Sequence, residues 1–283
     1  MKSFLLWSIT LFILNELCSA QQSLNFTCDE NAETNSDQLL CIPSDYVRHS
    51  PPVTYGRTRT KVGIEIVLED VLSVKDGAVS ISCFLNTKWR DPRIRRRRGF
   101  GRAQAKPGVD YRNNPGIYVP QDPEILEHIW RPDLYVYRQK QTSNMGSIGK
   151  SLESIWIATD GTVLISSPTI LDFYCPMDLT NFPLDVQKCQ LRFGSYTADD
   201  SKMIFELDRG SSDSFIQMDH ALMLKDYSVE ISELPVKDRN LQVPKLGNFS
   251  ITGIELEFRR NIGSYITSYY LPSIFIVIIS WTR

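Results

Sequence analysis

Metal-binding and catalytic signatures are what this sequence most plainly lacks. Its three histidines, His49, His128 and His220, are scattered, and no paired Cys-x-x-Cys units are present, which argues against a zinc site. There is no nucleophile elbow, no metal motif and no glycine-rich phosphate loop, so a hydrolase has little support and no enzyme, metal or cofactor is expected. Neither sign of charge is in excess: 31 Lys and Arg against 33 Asp and Glu leave a net charge of -2, so the chain as a whole is not polybasic. A convincing long helical pattern is missing, and the apolar stretch from Tyr269 to Trp281 is shorter than the roughly 20 residues that a membrane-spanning helix needs.

What is present is enough apolar residue, 42% of 283, to bury a sizeable core in one large domain or two small ones. Residues 1–20 carry Lys2, an apolar run from Phe4 to Leu14 and Cys18-Ser19-Ala20, which reads as a signal peptide cleaved after Ala20. The mature chain is then exported, and an exported chain is not expected to meet nucleic acid. Two sequons, Asn25-Phe26-Thr27 and Asn248-Phe249-Ser250, make Asn25 and Asn248 candidate glycosylation sites.

Excluding Cys18, five cysteines remain: Cys28, Cys41, Cys83, Cys175 and Cys189. Five is odd, so one thiol is left over. Cys83 lies in the apolar, strand-like run Val79 to Leu85, where a buried thiol behaves as a small hydrophobe. Cys175 and Cys189 can bridge in an oxidising compartment, and closing a loop of about 15 residues removes roughly 3 kcal/mol of unfolded-state entropy. The loop holds Pro176, Pro183 and a Phe182-Pro183 bond that is a candidate cis peptide. Spacing alone makes this loop a stability staple. Cys28 with Cys41 is a second candidate pair.

Residues 21–50 are polar and turn-rich, with one short helix expected from Glu33 to Leu40. From Thr60 the period becomes two: Val62, Ile64, Ile66 and Leu68 alternate with Gly63, Glu65, Val67 and Glu69. A turn at Lys75-Asp76-Gly77 leads into a second alternating run from Val79 to Leu85, and the two predict an antiparallel pair with one face buried. Short runs recur at 154–158, 162–166, 190–193, 203–207, 227–234 and 251–259, which predicts a β-sandwich of eight to ten strands. Residues 93–119 interrupt this rhythm with Arg93, Arg95, Arg96, Arg97, Arg98 and Arg102, glycines and prolines. They read as an exposed basic loop insertion, either simply solvated, docking an acidic surface or glycan, or cut after Arg98. Tyr269 to Trp281 is thirteen residues without charge, either a buried strand or the first part of a transmembrane helix with its tyrosines at the interface.

Several motifs in order carry a resemblance. The Cys175 to Cys189 loop with Phe182-Pro183-x-Asp185, the stretch Ile129-Trp130-Arg131-Pro132-Asp133, and Arg260-Asn261-Ile262-Gly263 running into Tyr270-x-Pro272-Ser273 together resemble a pentameric Cys-loop ligand-gated ion channel subunit, from about Pro51 to Arg283. The resemblance implies an all-β fold: an extracellular, immunoglobulin-like sandwich of about ten strands over residues 21–264, a short helix before its first strand, and the start of the first transmembrane helix at 265–283. It also implies a small-molecule ligand, identical or related subunits forming a pentamer, and a plasma membrane location with the binding domain outside. A chain that truly ends at Arg283 would be secreted. The alternative is a truncated or soluble ligand-binding protein of the same fold without a pore.

In relatives the Cys loop lies at the bottom of the sandwich and passes the ligand signal to the gate. By position, Phe182, Pro183 and Asp185, the turn at Lys75 and Asp76, and Arg260 would form that coupling junction. The family's ligand site, between subunits and lined with aromatics that attract a cation, would by position comprise Tyr135, Tyr137, Tyr196 and Phe249, with Phe84 from the facing subunit. Where receptors for glycine or GABA have an arginine two residues after the Phe84 position, this chain has Asn86, and a second such arginine place is Pro168. Without those donors a ligand carboxylate would lack its bidentate partner, which disfavours glutamate, glycine and GABA. Gly194 stands where many anion-channel relatives have a glutamate. The vicinal cysteines of nicotinic α subunits are absent from 235–250, where Pro244 and Leu246 stand near the tip. Arg-Asn-Ile-Gly and Leu-Pro-Ser-Ile resemble the anion-selective GABA/glycine branch and Phe-Gly-Ser-Tyr-Thr the nicotinic one; the lean is to the anionic side.

Overall fold

The computed structural model describes residues 28, 40–52, 59–96, 118–144, 146–147, 150–208, 216–218, 224 and 226–282. The signal-peptide expectation, Asn25, nearly all of the expected helix at Glu33 to Leu40, and Arg97, Arg98 and Arg102 lie outside them.

The period-two runs become the spine of the fold. Strand β1 (Thr60–Lys75) pairs with β2 (Ala78–Arg90), and Val62, Ile64, Ile66 and Leu68 are fully buried. The two-residue turn between them needs positive φ at both positions, and Asp76 at 54° with Gly77 at 68° supplies it, the hairpin turn whose twist suits the flanking strands. Further along are β3 (Tyr118–Gln121), β4 (Tyr135–Tyr137), β5 (Gln139–Asn144), β6 (Ser154–Ala158), β7 (Thr162–Tyr174), β8 (Val186–Gly194), β9 (Met203–Leu207) and β10 (Ile216–Met218). The last strands are β11 (Tyr227–Glu233), β12 (Asn240–Val243) and β13 (Gly247–Arg260). One eight-stranded sheet runs β9-β1-β2-β7-β6-β3, with β10 on β1 and β5 on β7; a five-stranded sheet runs β11-β13-β8-β4, with β12 on β13.

Side chains of both sheets meet in one core. Ile81, Trp89 and Phe173 of the first sheet pack in the same buried cluster as Leu191, Phe193, Leu256 and Phe258 of the second. The chain is therefore an all-β, immunoglobulin-like sandwich. Cys83 sits in this core as a free thiol, and burial, reinforced by Glu69, pushes it up to about 12, so it stays protonated and acts as a hydrophobe.

Two disulfides form, Cys28–Cys41 and Cys175–Cys189. The second joins the sheets, because Cys175 directly follows β7 while Cys189 lies within β8, and both are fully buried. The Phe182-Pro183 peptide in the ring it closes is cis.

Two expectations are corrected. Leu40 belongs to a strand, Leu40–Cys41, paired with Arg95–Arg96, so the described end of the expected helix and part of the expected basic loop are one ladder. Arg93 is likewise no solvated loop residue. Its guanidinium grips Asp91 at 2.8 and 2.9 Å, donates to the carbonyls of Val47 and Ser50 at 3.0 Å, and stacks 4.2 Å over Tyr46. Asp91 is fully buried, and a carboxylate there requires such a partner. The loop reading also overruns at its far end, where Tyr118 and Val119 are already in β3.

After β13 the chain turns helical at Ile262–Tyr265, passes a π-helical turn at Ile266–Tyr270 and continues as α-helix over Leu271–Trp281. Tyr269 to Trp281 is thus helical and exposed rather than a buried strand. Among the described residues no helix is long and apolar enough to cross a membrane.

Candidate functional site

Strand β4 reads Tyr-Val-Tyr, and with Val136 buried the period of two sends both tyrosines to the other face. Their rings meet edge to face, 5.0 Å apart at 81°. Tyr196, 74% exposed, leans against Tyr135 at 5.6 Å. The three tyrosines form an open aromatic corner, and a ring face attracts a cation placed within about 6 Å of its centre.

The corner is held by Asp133, the last residue of the Ile-Trp-Arg-Pro-Asp stretch. Its carboxylate accepts from the Ser195 hydroxyl, the Thr197 hydroxyl and the Thr197 amide at 2.8 Å, and from the Tyr196 amide at 3.1 Å. Tyr196 therefore hangs, solvent-facing, from a fixed backbone. The Tyr137 hydroxyl donates to the Ser195 carbonyl at 3.3 Å. Burial, with Tyr135 and Asp133 adding to it, raises the pKa of that phenol, so it remains a neutral donor.

Gly194 is explained by the same packing. A Cβ there would lie 2.9 Å from the Ser250 carbonyl oxygen and 3.0 Å from the Tyr137 ring. The tyrosine ring occupies the space that a side chain at 194 would need.

The five aromatics named from the sequence divide three ways. Tyr135, Tyr137 and Tyr196 come together. Phe249 is only 8% exposed, in the β12–β13 hairpin opposite Leu241. Phe84 is on the other sheet, 37% exposed on β2 and flanked across the ladders by Val67 and Pro168. Beside it the Asn86 amide donates to Glu65 at 3.1 Å, so the position two residues after Phe84 presents an amide paired with a carboxylate. Asn248 is exposed at the start of β13.

At the other named cluster, contacts are tighter. Asp185 is 3% exposed and takes two bonds from Arg260, Nε to Oδ1 at 2.7 Å and Nη2 to Oδ2 at 3.0 Å. Gln187, two residues on and hence on the same face, donates to Asp185 at 2.7 Å and closes the loop by exchanging bonds with the Asp178 backbone at 2.8 Å. The Arg260 bonds, helped by Gln187 and opposed by burial, hold the Asp185 carboxyl below the usual carboxylate range.

The Arg260 guanidinium also lies between two rings, 4.9 Å from Phe182 and 4.8 Å from Tyr227. Phe182 touches Tyr265 of the following helix at 4.9 Å, and Tyr265 stacks on Tyr269 at 4.6 Å. The turn at Lys75 and Asp76 joins through its glycine: the Cys175 amide donates to the Gly77 carbonyl at 2.9 Å. Phe182, Asp185 and Arg260 are thus in contact, Pro183 lies between the first two in the chain, and the β1–β2 turn sits at the neck of the loop.

Sequence reading missed the positioning roles of Asp133, Gln187, Tyr227 and Tyr265. Gln187 had a signal in its i+2 spacing from Asp185. Tyr227 had none, since it meets Arg260 only through the pairing of β11 with β13.

Residues 36–262 match the family model described as neurotransmitter-gated ion-channel ligand binding domain. Curated relatives include glycine receptor subunit beta of Homo sapiens, 26% identical over 269 residues, and of Mus musculus, 27% identical over the same length. The alignments cover 94% of this chain and 50% of each relative. The chain spans about half the length of the curated relatives it matches.

Proposed function

The chain belongs to the neurotransmitter-gated ion-channel ligand binding domain family, and from that premise we propose that it is a subunit of a plasma-membrane, ligand-gated ion channel whose extracellular sandwich takes a small ligand between subunits of a pentamer. The tyrosine corner of one subunit, with Phe249 behind it, faces Phe84 of the next. Ligand captured there favours one conformation of the sandwich, and its differential affinity for that state is the whole of the signal. The signal leaves through the Cys175–Cys189 loop into the helix that begins at Ile262, read as the start of the first transmembrane segment.

One observation carries this reading: the unbroken run of contacts from Asp185 through Arg260 and Phe182 to Tyr265. A loop that were only a staple would not need a buried ion pair to the end of β13 and a ring contact to the helix beyond.

The names of the relatives support the anion branch, and with it a chloride-type current. The ligand itself is read from the residues. Asn86 and Glu65 beside Phe84 offer no bidentate partner to a carboxylate, and the tyrosine faces suit a cationic group, so the ligand is proposed to carry a cation and no carboxylate.

The test is an agonist screen on the full-length protein in voltage-clamped cells, with the reversal potential measured. A cationic agonist opens a current that reverses at the chloride potential, and Phe182→Ala abolishes the current while ligand binding persists. Binding without any current in the unaltered protein, or full current from the variant, overturns the coupling reading.

A further inference from the structure

Arg48, His49, Leu126, Ile129, Trp130 and Arg131 line an open hollow of about 270 Å³ that belongs to neither the tyrosine corner nor the Cys-loop junction. Leu126, Ile129 and Trp130 form its buried floor; Arg48, His49 and Arg131 stand exposed around it. We propose that this hollow is a binding site for a small apolar carboxylate, distinct from the interface ligand.

The site is built rather than incidental. The Arg93 guanidinium donates to the carbonyls of Val47 and Ser50, which bracket Arg48 and His49 and fix the short backbone that presents them. Tyr46 ties that turn to the floor: its hydroxyl accepts from the Trp130 amide at 2.8 Å and donates to Asp91 at 2.6 Å. Asp122 caps the 3-10 turn Pro123–Glu127 that seats Leu126. Arg131 is steadied from outside the hollow by Glu153 at 3.2 Å.

The chemistry of the lining selects the ligand. Two guanidiniums and an imidazole surround the hollow, and among the described residues no carboxylate lines it. Arg131 is already paired with Glu153, so the Arg48 guanidinium is the group that offers a carboxylate paired donors, and an anion bound there also gains from the nearby Arg131 charge. The floor, an indole and two aliphatic side chains, offers nothing to a bare ion and much to an apolar body. The volume lies just under the usual span for drug-sized ligands, so that body is small, of the order of a single ring with a short tail.

Three probes on one skeleton read this out: 3-phenylpropanoate, 3-phenylpropan-1-ol and 3-phenylpropylamine, with acetate as the bare anion. Binding is measured by ligand-observed NMR on the purified full chain. Phenylpropanoate binds, the alcohol binds at least tenfold more weakly, and neither the amine nor acetate competes. Arg48→Ala weakens phenylpropanoate at least tenfold, Arg131→Lys retains it better than Arg131→Ala, and Leu126→Trp, which fills the floor without changing charge, abolishes it. Arg48 is exposed, so its replacement leaves the melting curve unchanged and separates lost binding from lost fold. Equal binding of the alcohol or the amine, competition by acetate at similar concentration, no binding at all, or indifference to Arg48→Ala each overturns the proposal.

Discussion

The tyrosine corner and the Cys-loop junction use the same residue types to opposite ends. Both combine an aspartate with aromatic rings. At the corner, Asp133 spends its oxygens on hydroxyls and backbone amides, and the ring it positions, Tyr196, is left three-quarters exposed. At the junction, Asp185 is buried, its partner is a cation, and that cation is already covered by Phe182 and Tyr227. Among the described residues, one place has aromatic faces and no cation on them. The other has both, supplied from within. On the proposed function, a surface open to a ligand leaves its rings uncovered, whereas an element that transmits force satisfies its own charges.

The largest test of this contrast is Arg260→Ala. It leaves the Asp185 carboxylate buried without its cation, a loss expected to cost about 3–5 kcal/mol, read from chemical denaturation followed by tryptophan fluorescence. A cost under about 1 kcal/mol would mean that water reaches Asp185 and that the junction is no more closed than the corner.

Acid probes the same pair more gently. The Asp185 pKa is depressed in the folded chain, so its contribution is fully present above the unfolded aspartate value of about 3.9 and is lost as pH falls through the lower folded value. Stability should therefore fall below about pH 4, and Asp185→Asn should flatten that part of the profile. An unchanged profile in the variant would assign the acid sensitivity to other carboxylates.

The smallest effect on stability is expected at Tyr196. Tyr196→Ala removes a mostly exposed ring and should shift stability by no more than about 0.5 kcal/mol, while weakening binding of a cationic agonist about tenfold or more. Unchanged affinity would remove Tyr196 from the ligand site and sharpen the contrast into one between a working junction and an inert corner.

How far these regions could be read in advance follows from the range of the forces involved. The β1–β2 hairpin was legible because alternating burial and an Asp-Gly turn are written in consecutive residues. The sandwich followed from repeated short runs of that kind. Strand β5, Gln-Lys-Gln-Thr-Ser-Asn, was not legible, since it carries no apolar alternation and exists only because β7 offers it a ladder. The basic segment misled through composition: Arg93 looks solvated in a run of arginines, but Asp91, two residues earlier, demands a buried partner. In the junction the sequence marked Phe182, Asp185 and Arg260 by motif, while Tyr227 depends on strand register. At the corner Tyr135 and Tyr137 were marked by their position after Trp130 in the resembled family, whereas the clamp by Asp133 spans more than sixty residues of chain.

The disulfide that joins the two sheets has one more consequence. Residues 176–188 hang from the first sheet at Cys175 and from the second at Cys189. A displacement shared by both layers carries the ring along undeformed, and only a slip of one layer past the other shears it. The ring is in effect a differential gauge: it registers relative motion of the two sheets and rejects motion they have in common, such as tumbling of the domain.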